Sequence, residues 1–155
     1  MITVQRAVPA KGVPAARNLH RWARAALRLA PAPDSSRAGR SRARGELTLR
    51  IVGPAESRAL NRRFRGKDKP TNVLSFPYDD QGVLGDLVIC APVVQRESRE
   101  QHKPPAAHWA HMVVHGVLHL LGYDHIKPSD ARRMEARERA ILATFDIPDP
   151  YLLPK

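Results

Sequence analysis

The sequence predicts an α+β fold in a single domain spanning residues 1–155, with a mixed sheet of about four strands and helices packed on it. Three observations carry that expectation. Strand-like runs alternate with helix-periodic ones early in the chain. Two later runs are separated only by turn residues, as in a hairpin. A chain of 155 residues can also bury about two-thirds of its unfolded surface in one core.

Taken in order, Ile2 to Val4 starts a short strand. Val13 to Leu29 carries Leu19, Trp22, Ala23, Ala26 and Leu27 on one side, with Arg17, Arg21, Arg24 and Arg28 largely on the other. That is the pattern of an amphipathic helix with Trp22 in the core. Residues 30–45, rich in Pro, Ser, Gly and Arg, have almost nothing to bury and read as a flexible basic loop. Leu47 to Val52 alternates at period two and reads as a strand. Pro54 suits the first turn of a helix from Ala55 to Phe64. Arg65 to Asn72 forms a polar, glycine-bearing loop. Val73 to Phe76 and Leu84 to Cys90 are two further strands joined through Asp79-Asp80-Gln81-Gly82. Pro104 and Pro105 open a helix from Ala106 to Leu121, buried through Val113, Val114, Val117, Leu118 and Leu121. A charged helix from Ser129 to Thr144 follows, with the serine as its cap.

The net charge of +11 is unevenly spread. Residues 1–65 hold 15 Lys and Arg against 3 Asp and Glu, whereas residues 66–155 hold 11 against 12. Of the first 15, 14 are arginine, whose planar fork matches phosphate. By itself this fits a solvated basic surface as well as a polyanion partner. The one cysteine, Cys90, lies in an apolar run and reads as a small buried hydrophobe. It allows no internal disulfide, which points to a reducing compartment. No stretch approaches the roughly 20 apolar residues of a membrane span, and the start shows no signal pattern. The expected setting is the cytoplasm, with no membrane partner.

The run from His115 to His125 is the most informative in the chain. His115 and His119 are four apart, so on a helix they stack one turn above the other. Gly122 stands where a helix commonly ends in a left-handed residue, and the turn can bring His125 back toward them. Three imidazoles without cysteine suit one zinc ion, and three protein ligands leave the fourth position open, as in catalytic sites. A metal site at the end of a central helix is therefore expected. The spacing is similar to that of the metzincin proteases at all three histidines and the glycine, but their general-base glutamate is replaced by Gly116, which argues against a peptidase. His108 and His111 lie earlier on the same helix and read as surface residues or as partners that orient a ligand.

With this run and the segment from Leu60 to Pro77 in view, the chain resembles the YbeY family of bacterial endoribonucleases, a likeness that continues through Leu84 to Ile89 and His108 to Val114. It covers about residues 46–155. The resemblance implies a single-strand-specific, metal-dependent endoribonuclease acting in ribosomal RNA processing, notably at the 3′ end of the small-subunit RNA, and in ribosome quality control. Single-stranded RNA, ribosomal RNA and ribosomal subunits would be its partners. It also implies His115, His119 and His125 as zinc ligands and Arg65 as the catalytic arginine. Asp86 and Asp124 are candidates to orient a ligand or act as a base, and Lys67 and Lys69 to neutralise backbone phosphates. A ribosome-assembly RNA-binding module with a structural zinc, and a zinc hydrolase of another substrate, remain the alternatives.

Overall fold

Gly116 and its neighbours can reach a sheet because four strands assemble behind their helix. The computed structural model describes residues 1–30, 45–80 and 82–152. Apart from Ala30 and Gly45, the basic loop expected at 30–45 lies outside the described residues. The element order is β1 (Ile2–Arg6), α1 (Ala16–Leu29), β2 (Glu46–Val52), α2 (Pro54–Arg65), β3 (Val73–Asp80), β4 (Val83–Cys90), α3 (Ala91–Glu100), α4 (Pro105–Leu120) and α5 (Pro128–Ala143).

The sheet order is β1-β2-β4-β3. β1, β2 and β4 run parallel, and β3 pairs antiparallel with β4 as the second half of a hairpin. The mixed four-stranded α+β architecture is thus the expected one. Period-two alternation sends Leu47, Leu49 and Ile51 of β2 to one face. There they join Leu87 and Ile89 of β4, Leu19, Trp22 and Ala26 of α1, Val113, Val117 and Leu118 of α4, and Met134 and Ile141 of α5 in the main core. On the opposite face Val52, Leu74, Val88 and the buried Cys90 pack with Val93, Leu60 and Phe76, so α2 covers that side.

Two local readings need correction. Residues 91–100 form α3, which sequence periodicity did not reveal. Its buried set is only Ala91, Val93, Val94 and Ser98, and adjacent valines favour a strand by propensity, so packing against both faces of the sheet decides the conformation. Pro92 in the first turn was the available signal. Ser129 is not the cap of the last helix: Pro128 takes the first helical position and Lys127 the cap, with no side-chain cap bond. Proline has no N–H to satisfy and a φ already suited to a helix start, so it sets the boundary one residue earlier. Among the described residues, no helix is long and apolar enough to cross a membrane.

Candidate metal centre

α2 lies on one face of the sheet and α4 on the other, and β3 is the strand at the open edge between them. A cleft of about 580 Å³ opens along that edge. Its lining includes Asn61 and Arg65 from α2, Lys67 and Lys69 from the following loop, Ser75 from β3, His115 and His119 from α4, and Asp124 and His125 beyond it.

Each wall has a local cause. The loop after α2 is tied back onto that helix: Arg58 pairs with Asp68 at 2.8 Å, Asn61 Nδ2 donates to the Lys69 carbonyl at 2.8 Å, and Thr71 N donates to Ser57 Oγ at 3.0 Å. These bonds hold Lys67 and Lys69 at the cleft. Arg65 is the last residue of α2, one position short of the loop expected for it. On the other wall α4 ends at Leu120, and Tyr123 N bonds the Leu118 carbonyl at 3.0 Å while Gly122 N bonds that of His119 at 3.0 Å. Gly122 has φ 105°, a conformation costly for a residue with a Cβ, and this turn returns His125 to the other two histidines.

The three imidazoles each offer a ligand nitrogen, all within 4.8 Å of one another. Ring centroids lie 4.7 Å apart for His115–His119, 5.0 Å for His119–His125 and 5.8 Å for His115–His125. A tetrahedral ion with bonds of about 2.0–2.1 Å needs nitrogens roughly 3.4 Å apart, so the donor set fits a metal after small side-chain adjustments. Burial, reinforced by His115 and His125 nearby, lowers the His119 pKa to about 4. Its imidazole is therefore neutral at pH 7, the form that binds metal.

Behind the three histidines lies a residue that the sequence reading did not single out. Glu138 of α5 is fully buried and accepts hydrogen bonds from His111 Nε2 at 2.7 Å, His115 Nδ1 at 2.8 Å and the Tyr151 hydroxyl. Burial alone would raise its pKa, but the bonds from His111 and His115 prevail and bring it down to about 2. The signal for Glu138 was its place on the apolar stripe of Met134 and Ile141, where an acid is out of pattern. Six other charged residues on that helix hid it.

His108 and His111 are buried rather than on the surface. His108 Nε2 bonds Glu97 at 2.9 Å, and Glu97 also accepts from Asn72 Nδ2 at 3.1 Å, which fixes the start of β3 beside the cleft. Asp124 lines the cleft and accepts from Ile126 N at 3.1 Å, shaping the turn that carries His125. Asp86 belongs elsewhere. It pairs across from Phe76 on the α2 side of the sheet and accepts from the Tyr78 hydroxyl at 2.5 Å, whereas Leu87 next to it faces α4. The α1 arginines are exposed, but none lines the cleft, so among the described residues the basic half contributes only Arg65 and Asn61 there.

Comparison with known proteins adds a family. The model of the family described as endoribonuclease YbeY matches residues 10–146. A Halorhodospira halophila protein named endoribonuclease YbeY is 64% identical over 115 residues, covering 69% of this chain and 75% of its own. One of the same name from Stutzerimonas stutzeri is 54% identical over 144 residues, covering 89% and 83%. A Thermotoga maritima protein solved in solution shares the fold, with TM-score 0.59 and 22% identity over 98% of this chain and 99% of its own.

Proposed function

The chain belongs to the YbeY endoribonuclease family, and from that premise we propose that it cleaves single-stranded RNA with one zinc ion held by His115, His119 and His125. The RNA in question is ribosomal, with the 3′ end of the small-subunit RNA as the processing site, and the setting is the cytoplasm, where ribosomal subunits are matured and checked. The observation that carries this reading is the union, in one cleft, of three convergent imidazoles with Arg65, Lys67 and Lys69 on the facing wall.

When bound by His115, His119 and His125, the ion would supply Lewis acidity toward a phosphate oxygen in the cleft. The chain's own groups do the rest. The Arg65 guanidinium offers two-point hydrogen bonding to phosphoryl oxygens and stabilises the negative charge that grows on them. Lys67 and Lys69 neutralise flanking phosphates and keep the backbone in register without reading bases. A glutamate at the position after His115, which serves metalloproteases as general base, has no counterpart here, because Gly116 is buried against the sheet.

The test is a cleavage assay on single-stranded and duplex RNA, with and without chelator, beside a casein control. Chelator-sensitive cleavage of single strands alone is expected. Cleavage of casein, or RNA cleavage that survives removal of all metal, overturns the reading.

A further inference from the structure

We propose that Glu138 is a positioning residue for the metal centre: its carboxylate keeps the His115 proton on Nδ1 and thereby turns Nε2, with its lone pair, toward His119 and His125. The inference rests on the metal reading of the previous section and extends it to a group that touches neither ion nor RNA.

An ionised carboxylate only accepts hydrogen bonds, so each of its partners must bring a hydrogen. His115 brings its own on Nδ1, at 2.8 Å from Oε1. The other ring nitrogen is then free to bind metal, and the ring is held at a fixed angle by a bond to a rigid helix. His111 brings a hydrogen on Nε2, at 2.7 Å from Oε2, which leaves its Nδ1 buried without a partner. His111 is thus an anchor of the carboxylate and not a fourth ligand.

His111, His115 and Glu138 could be taken as a metal site of their own, since their donor atoms are also close together. The distances argue otherwise. At 2.7 and 2.8 Å the nitrogen–oxygen pairs are closer than the roughly 3.4 Å edge of a tetrahedral zinc site, and they suit charge-assisted hydrogen bonds.

Glu138 is 0% exposed, and its ion-pair partners are the two histidines. A carboxylate buried in this way is costly unless its lone pairs are satisfied. The third donor comes from the C-terminal segment, where Tyr151 reaches Glu138. Lys103 Nζ pins that segment by donating to the Pro150 carbonyl at 2.6 Å. The carboxylate is therefore gripped from α4 and from the C-terminal segment, and it passes that rigidity to His115.

Two measurements on the full-length, zinc-loaded chain test the inference. Ring-nitrogen NMR is expected to find His115 protonated at Nδ1 and coordinating through Nε2. Chelator competition with zinc is expected to show an affinity loss of about 10- to 100-fold in Glu138→Gln, whose single oxygen cannot serve three donors. A merely structural carboxylate would shift the melting of the metal-free variant but leave zinc affinity unchanged. Zinc uptake with His115 protonated at Nε2, or unchanged affinity in the variant, overturns this inference alone. A chain that takes up no zinc overturns the metal reading as well, and the NMR result decides the matter should the variant fail to fold.

Discussion

Gly116 sits so close to Leu87 that a Cβ added to it would stand 2.7 Å from Leu87 Cδ2 and 3.0 Å from Cδ1. This contact lets α4 approach β4 and sets the depth of His115 in the cleft. It also means that the glutamate of the metzincin pattern could enter only by pushing the buried Leu87 side chain out of its place in the core. Gly116→Glu should therefore yield no caseinolytic enzyme and should lower the urea midpoint, since overpacking costs about 1–3 kcal/mol and a buried charge adds to it. A stable variant with an unshifted midpoint would refute this account of the helix–sheet contact.

Arg65 faces the histidines across the cleft without contributing a ligand to them. Arg65→Ala is expected to retain zinc and the native melt while single-turnover cleavage falls on the order of 10²-fold or more, as for loss of an oxyanion donor. Elemental analysis and rapid-quench kinetics check the two halves separately. Loss of zinc, or cleavage at the normal rate, would remove Arg65 from the chemistry.

Removing the metal should leave the fold standing. The main core is made of apolar side chains from four helices and the sheet, and none of them depends on an ion. The metal-free chain should keep its far-ultraviolet dichroism and a cooperative melt at lower temperature, with cleavage lost and then restored by zinc. Collapse of the fold on chelation would instead indicate a structural metal.

The metal-free chain should also lose stability in two stages on acidification. The folded His119 pKa, at about 4, lies below its ordinary 6.5, so the unfolded chain binds more protons between those values and stability falls as pH drops from 6.5 toward 4. The folded Glu138 pKa, at about 2, lies below the ordinary 4.5, so its contribution is full above 4.5 and is lost as pH falls toward 2. Urea titrations across pH should show His119→Ala flattening the upper stage and Glu138→Gln the lower. Parallel curves for all three proteins would contradict both assignments.

The α1 arginines lie away from the cleft, so a role for them in RNA binding is one of affinity and not of chemistry. Neutralising Arg17, Arg21, Arg24 and Arg28 together should weaken binding at every sequence and flatten the log–log salt dependence by up to about 0.7 per lost phosphate contact, with the single-turnover rate at saturation unchanged. An unaltered salt slope would mean that this face carries no RNA.

Sequence by itself determined the elements whose cause is local. The spacing of His115 and His119 fixes their shared face, Gly122 permits the turn that returns His125, and alternation along Leu47 to Val52 gives a strand with one buried side. Only the tertiary structure decided which distant side chains meet these groups. Glu138 reaches His115 because α5 packs on α4, and nothing in a helix of mixed charges announces which acid will be buried. Asp86 and Asp124 looked equivalent until the strand register turned Asp86 to the α2 face and left Asp124 in the cleft. Helical and strand periods are set by backbone geometry over a few residues, whereas the pairing of groups 23 positions apart depends on how whole elements dock.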